Sequence, residues 1–393
     1  MNVPKLRFKD FSGEYKNITF DKLANYKKGP FGSSLKKDMF VPKDANSIKV
    51  YEQQNAIKKD WTLERYFITK EYYEKLKGFT VKPGDIIVSC AGTIGEYYVL
   101  PYNAEIGVIN QALMRISTNN LINQNYFLYI FDNMVFHFSK TFSNGSAIKN
   151  IPPFSDLKKQ IAYIPSIEEQ NKVAQFLSLL DKKIELQTKK IEALKLFKKG
   201  LLNEFLKRNP CSKISLKYIL KERQKYTIKD GILPHVTLSK NGIEEKIERY
   251  NRDFLVKSKD KNYKITKIYD LCYNPANLKF GVICLNTYGS AIFSPIYITF
   301  EINHKFNPLY IGYYVTQQNF INSARKYEQG TVYERMAVAP EDFLKMNIWV
   351  PNKHIQDKFS TILISMDTKL KKENEKLKML EALKKGFMQS MFV

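Results

Sequence analysis

The sequence contains one long helical segment twice, and this duplication limits the possible architectures more than any other feature. Residues 164–205 align without a gap on residues 350–391, at a constant offset of 186 positions. Aligned identities include Pro165 with Pro351, Gln170 with Gln356, Leu177 with Leu363, Asp181 with Asp367, and the Lys-Lys-Gly triplets 198–200 with 384–386. A repeat of this kind predicts a duplicated structural unit.

Both copies carry apolar residues at alternating steps of four and three, which predicts long coiled-coil helices. The predicted interface consists of Val173, Leu177, Leu180, Ile184, Ile191 and Leu194 in the first copy and Phe359, Leu363, Met366, Leu370, Leu377 and Leu380 in the second. This apolar stripe turns polar at equivalent places, first at Gln187 and Glu373 and again at Lys198 and Lys384. We interpret these matched interruptions as positions that set the helix register or face another partner.

Each helical segment follows a stretch of short β-rich runs mixed with turns, which predicts a compact α+β domain. The predicted order is a first domain over residues 1–163, a helical spacer over 164–207, a second domain over 208–350 and a second spacer over 351–393. No linker separates these parts, so we expect the helices to run antiparallel. At about 1.5 Å per residue, the rod is at most about 63 Å long. The fold class is therefore α+β, with two similar globular domains separated by two antiparallel coiled-coil helices in a pseudo-twofold duplication.

The formal net charge is +24, which favours a polyanionic partner such as nucleic acid, although a Lys-rich proteome would give the same excess. The excess is split between the domains, at +8 over residues 1–163 and +9 over 208–352. Four cysteines without CxxC spacing indicate neither zinc nor disulfides. The sequence shows no signal peptide or membrane span, so we expect a cytoplasmic protein.

The motifs of a catalytic site are missing from the sequence. An amino-methyltransferase needs a polar residue before its Pro-Pro pair, but Ile151 precedes Pro152-Pro153, which favours a simple turn. There is no GxxxxGK[ST] phosphate loop and no glycine-rich loop for a methionine-derived cofactor. The four histidines are scattered. We therefore expect a non-catalytic protein with no metal and no cofactor of its own.

Glycine-containing loops with lysines and hydroxyl groups are the candidate DNA contacts, because such loops can approach phosphates closely. In the first domain, Phe31 is expected to buttress the first of these loops. A simple solvated turn is the alternative for each loop, and Asn241-Gly242 is also a hairpin-turn signal. The candidates are Lys27, Lys28, Gly29, Phe31, Ser33, Ser34, Lys36, Lys37, Ser143, Asn144, Ser146 and Lys149 in the first domain and Lys240, Asn241, Thr331, Tyr333 and Arg335 in the second.

The chain resembles the specificity subunit of type I restriction–modification systems over essentially its whole length. The phrases that carry the resemblance are residues 5–14, 29–33, 82–86, 161–170 and 194–201 in the first half and 294–297 and 348–351 in the second. One departure is that His354-Ile355-Gln356 stands where the first repeat has Glu168-Glu169-Gln170.

The resemblance implies a subunit that reads a bipartite, asymmetric double-stranded DNA target and scaffolds two methyltransferase subunits and the restriction motor subunits. S-adenosylmethionine, ATP and Mg²⁺ would then be bound by those partners. A coiled-coil scaffold whose basic heads bind acidic proteins or a membrane is the alternative, and a DNA-binding assay discriminates the two.

Overall fold

The computed structural model describes residues 3–91, 93, 95–142, 154–229, 231–245, 262–329 and 336–393. They divide into two compact units, a first unit of residues up to 186 together with 377–393 and a second unit of residues 187–376. Each unit combines one globular region of strands and short helices with parts of both long helices. The α+β class predicted from the sequence is confirmed.

In the described residues of its globular region, the first unit has ten strands and four short or medium helices before the first long helix. The strands are β1 Lys16–Thr19, β2 Ala24–Lys28, β3 Ser47–Tyr51, β4 Tyr66–Thr69, β5 Thr80–Val81, β6 Ile86–Ser89, β7 Tyr97–Val99, β8 Gly107–Ile109, β9 Leu113–Thr118 and β10 Ile161–Ile164. The helices are α1 Gln53–Ile57, α2 Lys70–Lys75, α3 Gln124–Phe142, α4 Phe154–Lys159 and the long α5 Ile167–Arg208.

Two four-stranded sheets and a two-stranded ribbon form this region, with strand orders β2-β9-β6-β7 and β4-β3-β8-β5 and the pair β1-β10. Strands β6 and β9 bury Val88 and Ile116 against the rings of Phe127 and Phe131 on α3. Apolar burial between sheet and helix is the main stabilising contribution here.

Within the part of the second unit that the structure describes, eleven strands and three short helices precede the second long helix. The strands are β11 Cys211–Ser215, β12 Leu220–Glu222, β13 Tyr226–Thr227, β14 Val236–Ser239, β15 Gly242–Glu245, β16 Tyr263–Thr266, β17 Leu271–Tyr273, β18 Ile283–Leu285, β19 Ala291–Phe293, β20 Ile298–Ile302 and β21 Asn347–Pro351. The helices are α6 Pro308–Val315, α7 Gln318–Ala324, α8 Pro340–Lys345 and the long α9 Lys353–Met391.

The two globular regions share much of their topology, although the sheet β4-β3-β8-β5 of the first corresponds to two smaller sheets, β13-β16-β19 and β14-β15, in the second. The sheet order β12-β20-β17-β18 repeats β2-β9-β6-β7, and the ribbon β11-β21 repeats β1-β10. The parallel pairing of β3 with β8 has its counterpart in a parallel bridge between His235 and Ile292. The duplication therefore extends from the helices into the regions where the sequences match only loosely.

The long helices begin slightly after the predicted boundaries, at Ile167 and Lys353. The residues that precede them form β10 and β21, which end at Ile164 and Pro351. Helix α5 ends at Arg208 because Pro210 has no amide hydrogen for a further helical bond. The Asn209 side chain bonds one of the last free carbonyls, that of Phe205, at 2.8 Å.

Within each unit, α5 contacts α9. In both units, residues later in α5 contact residues earlier in α9, so the two segments run antiparallel within each unit. The pairs in the first unit are Phe176 with Phe387 (4.9 Å between ring centroids) and Asp181 with Lys384 (2.6 Å). The pairs in the second unit are Gln187 with Glu373 (2.7 Å), Lys198 with Asp367, and Phe205 with Phe359 (4.4 Å between ring centroids).

None of the twelve stripe residues predicted to form the helix interface is exposed. Those that are buried are Val173, Leu177, Leu180, Ile191, Phe359, Leu363 and Met366, and those that are half-buried are Ile184, Leu194, Leu370, Leu377 and Leu380. The polar interruptions bond across the helix pair instead of facing solvent alone, as the Gln187 and Lys198 contacts show. Among the helices that the structure describes, none has the length and apolar content needed to cross a membrane.

Candidate nucleic-acid interface

In the first unit, the loop after β2 is built on a glycine that no other residue could replace. Gly29 donates its backbone N–H to the Leu113 carbonyl at 2.9 Å. A Cβ atom at this position would lie 1.8 Å from the carbonyl oxygen of Asn110, well inside van der Waals contact. The close approach of these two backbones fixes where the preceding Lys27 and Lys28 leave the sheet.

The next residues form a short 3₁₀ turn over Gly32–Ser34, held at both ends. Ser34 donates its N–H to the Phe31 carbonyl at 2.8 Å, and its own carbonyl accepts the Tyr72 hydroxyl at 2.9 Å. Leu35 is buried in a small apolar cluster beneath the turn. The backbone of this loop is therefore held by contacts at several points.

The expectation that Phe31 buttresses the loop is wrong, because its side chain is 86% exposed. Leu35 has that role, and the ring of Phe31 projects into solvent. An exposed aromatic ring on a basic loop is a surface on which a nucleic-acid base or sugar can pack. The candidates of this loop that are exposed to solvent are Lys27, Lys28, Phe31, Ser33, Lys36 and Lys37.

The turn after β8 lies against this loop, and its residues were not found by sequence reasoning. Gln111 is exposed, and its Nε2 lies 3.8 Å from where a Cβ of Gly32 would be. Asn110 stabilises the turn by accepting the Ala112 N–H on its side-chain oxygen at 3.1 Å. A polar Asn-Gln pair directly after a buried strand is the only sequence signal for this turn.

In the second unit, Lys240 and Asn241 form the two-residue loop of a β-hairpin. Ser239 pairs with Gly242 in the register of β14 and β15, so the hairpin alternative for this segment is confirmed. The Ser239 hydroxyl oxygen accepts the Asn241 N–H at 3.0 Å. Both loop side chains are exposed at the tip, a position from which they can reach a ligand.

A second basic group lies beside this tip. The amino groups of Lys240 and Lys279 lie 5.8 and 5.4 Å from the centre of the Phe280 ring, which is itself exposed. Two cations at such distances are attracted to the face of the ring. Sequence reasoning missed Lys279 and Phe280, because the contact joins a hairpin to a 3₁₀ turn about forty residues away.

The remaining candidates cannot be placed. They lie outside the described residues and are Ser143, Asn144, Ser146, Lys149, Thr331, Tyr333 and Arg335. Among the residues that are described, no three His, Cys, Asp or Glu side chains converge as a metal site would require.

Both globular regions of this duplicated α+β fold carry basic loops beside exposed aromatic rings, a combination that is typical of nucleic-acid-binding proteins. Comparison with known proteins shows which family and which solved structures the chain resembles. Residues 14–196 match the family model of the type I restriction modification DNA specificity domain. The matched range covers the first globular region and much of α5.

Solved structures extend the similarity to the whole chain. The type I restriction–modification S subunit from M. genitalium matches with 16% identity and a TM-score of 0.57, covering 100% of this chain and 99% of its own. A chain from a structural study of complex assembly and conformational transition in the type I R-M system matches with 9% identity and a TM-score of 0.56. The match covers 95% of this chain and 96% of that chain.

Residues 14–196 therefore belong to the type I restriction modification DNA specificity domain family, and the whole chain has the fold of solved type I S subunits. The role that the family match supports is that of a DNA-sequence specificity subunit. The second globular region repeats much of the topology of the first, which is the region that the family model covers.

Proposed function

We propose that the two globular regions each read one part of a bipartite, asymmetric DNA target and that α5 and α9 form an antiparallel coiled-coil spacer between them. The observation that carries this proposal is the repeated topology, because two related readers on one chain suit two separate half-sites on one duplex. The loops of the two regions differ in sequence, so we expect the two half-sites to differ in base sequence.

Phosphate contacts in this proposal come from the loop lysines and base contacts from polar side chains beside them. In the first region these are Lys27 and Lys28 with Gln111, whose amide has the donor–acceptor pair that matches adenine in the major groove. In the second region the tip residue Asn241 has the same amide chemistry, beside Lys240 and Lys279. The acidic Glu244 and Glu245 on β15 would repel phosphate and restrict the contact to the tip.

The chain is a non-catalytic component in this proposal. The thiols of Cys90 and Cys284 are poor nucleophiles, because burial raises the pKa of Cys90 to about 11 and that of Cys284 to about 12. Adenine methylation with S-adenosylmethionine and DNA cleavage driven by ATP and Mg²⁺ would be carried out by methyltransferase and restriction subunits. Incubation of the pure chain with DNA and labelled S-adenosylmethionine is expected to transfer no methyl group.

Two equivalent apolar side chains on the long helices are the proposed attachment points for a pair of methyltransferase subunits. Phe197 on α5 is 63% exposed and Leu383 on α9 is 49% exposed, and the repeat alignment superimposes them. Exposed large apolar groups at matched positions suit two copies of one partner. Phe197→Glu and Leu383→Glu are each expected to reduce the co-purified methyltransferase from two copies to one. Leu179→Glu, at an exposed leucine whose repeat mate is Ser365, is the control that keeps both copies.

DNA binding by the chain with its partners tests the reading role directly. Lys27→Gln/Lys28→Gln is expected to weaken binding and to lower the salt dependence of the association constant by about 0.9 per lost phosphate contact. Lys27→Arg/Lys28→Arg keeps the charge and serves as the matched control. If neither double variant changes the affinity for DNA, this loop does not contact DNA. If the wild-type chain binds polyglutamate as tightly as duplex DNA, a scaffold that binds acidic proteins is the better description.

A further inference from the structure

The two long helices are joined to their globular regions by the same residue, a buried glutamine in the first turn. The side chain of Gln170 on α5 is 1% exposed and that of Gln356 on α9 is 2% exposed. The Gln170 Oε1 atom accepts the backbone N–H of Asn123 at 2.8 Å, and Gln356 Oε1 accepts the backbone N–H of Asn307 at the same distance. The two joints are thus equivalent in residue type and in geometry.

The amide nitrogen of each glutamine donates to the chain segment that leads into its own helix, and that of Gln170 also donates to the segment before α3. Gln170 Nε2 donates to the carbonyl oxygens of Pro165 at 3.0 Å and Leu121 at 3.2 Å. Gln356 Nε2 donates to the carbonyl oxygen of Pro351 at 2.8 Å. One side chain therefore connects the long helix, the segment before it and the helix of the globular region.

An outer hydrogen bond accompanies each buried one. Asn123 Nδ2 donates to the Asn171 side-chain oxygen at 2.8 Å, and Asn307 Nδ2 donates to the Asp357 carboxylate at 2.7 Å. The same two asparagines cap the N-termini of α3 and α6, by accepting backbone N–H groups on Oδ1. Attachment at an inner and an outer point restrains both tilt and rotation of the long helix.

Apolar packing at the joints holds the parts together but does not select an angle. In the first unit Val173 and Leu177 belong to the core of the globular region, and in the second unit Phe359 and Leu363 do. Hydrophobic contacts are non-directional, whereas hydrogen bonds weaken steeply away from linear geometry. The glutamine and asparagine bonds therefore restrain the direction of each helix relative to its globular region, together with the bonds from Arg7 and Tyr15 to Glu169 in the first unit and from Ser360 to Asn307 in the second.

We propose that Gln170 and Gln356 are positioning residues that fix how many base pairs separate the two half-sites. This inference rests on the proposed function, since it needs two readers and a spacer. Successive base pairs are about 3.4 Å apart along the duplex, so a change in helix direction that moves one set of loops by that distance shifts the reading by one base pair.

Methylome sequencing of cells that express the full chain with its methyltransferase subunits tests the proposal. Gln170→Leu keeps a side chain of similar volume and removes every hydrogen bond of the side-chain amide. We expect unchanged half-sites, with methylation at gaps one base pair shorter or longer rising about tenfold relative to the wild-type gap. Gln356→Leu is expected to do the same from the other joint. Tyr26→Phe, which removes the buried hydroxyl bond to the Phe20 carbonyl inside the first globular region, is the matched control and should leave the gap unchanged.

The outcomes separate the inference from the function on which it rests. If wild type methylates a bipartite motif and the glutamine variants keep its gap while only the extent of methylation falls, the positioning role is overturned. If wild type methylates no bipartite motif, the proposed function itself fails. Should both glutamine variants fail to accumulate, Asn171→Ala decides, because that exposed residue carries only the outer bond; a gap as strict as that of wild type would then overturn the proposal.

Discussion

Gln187 donates a hydrogen bond of 2.7 Å to the carboxylate of Glu373, and the two residues occupy the same position in the two copies of the repeat. Lys190 pairs with the same carboxylate at 2.5 Å. Gln187 is buried, so the heptad stripe carries a satisfied polar contact where an apolar pair would pack. A single polar position in such a stripe specifies register at a cost in stability.

The Glu373 contact makes a pH-dependent prediction. The pKa of Glu373 lies below its ordinary value of 4.5, first because of the hydrogen bond from Gln187 and then because of the bond from Lys190. Because this pKa is lower in the folded state than in the unfolded state, the ionised carboxylate stabilises the fold at pH values above the unfolded pKa. That stability is lost as the pH falls through the folded pKa. We expect Gln187→Leu to raise the Glu373 pKa, measured by NMR titration, and to leave unchanged the lowered pKa of Glu204, which depends on Lys207. An unchanged Glu373 pKa would contradict this account.

The apolar stripe predicts a second result. Leu180 is buried where α5 meets α9 in the first unit, and Leu180→Asp would bury an unpaired charge. We expect a loss of several kcal/mol in the free energy of unfolding. Leu179→Asp is the matched control, because Leu179 is the exposed neighbour on the same turn. Thermal melts that differ by less than a degree or two from each other would exclude the packing described here.

Arg7 and Glu169 explain the departure of the second repeat from the first. Glu169 is buried and accepts two hydrogen bonds from the Arg7 guanidinium, at 2.8 and 2.7 Å, and one from Tyr15 at 2.9 Å. The equivalent residue in the second repeat is Ile355, which has no such partner to hold. Arg7→Leu is therefore expected to destabilise by about 3 kcal/mol, because it leaves a buried carboxylate without its cation.

Adding Glu169→Ile to Arg7→Leu should recover much of that loss, since it copies the second repeat. Chemical denaturation of the single and double variants measures both quantities. Purely additive losses would show that the pair is not coupled.

Gly29 gives a prediction with a control three residues away. Gly29→Ala places a methyl group 1.8 Å from the Asn110 carbonyl oxygen, so the loop must shift, whereas Gly32→Ala meets only the Gln111 amide at 3.8 Å. We expect Gly29→Ala to reduce DNA affinity at least tenfold and Gly32→Ala to stay within about twofold. Equal effects of the two substitutions would mean that the position of this loop does not matter for binding.

The helices and their duplication could be predicted from the sequence, because a 3.5-residue period over several heptads is a strong local signal. The topology of the globular regions could not, since their strands are two to six residues long and pair across large sequence separations. The same reason hides the joint. Gln170 and Gln356 align in sequence, but their partners Asn123 and Asn307 are brought to them only by the fold.

Side-chain direction limited the predicted DNA contacts. Phe31 was expected to pack beneath its loop, yet the turn over Gly32–Ser34 leaves it in solvent and buries Leu35. Phe280 and Lys279 were not predicted as DNA contacts, because neither belongs to a glycine-rich loop with its own local pattern. Loop residues are positioned by the scaffold and not by their own periodicity.

The central claim is that two globular regions read two half-sites independently, and a domain exchange measures this most directly. Residues 208–350 are replaced by the corresponding region of a relative with another target, and the methylome of cells that carry the chimaera and its methyltransferase is sequenced. We expect one half of the methylated motif to change and the other half to stay, with the half-site centres still about one helical turn, roughly 10 base pairs, apart. A chimaera that changes both halves, or neither, would contradict the two-reader account.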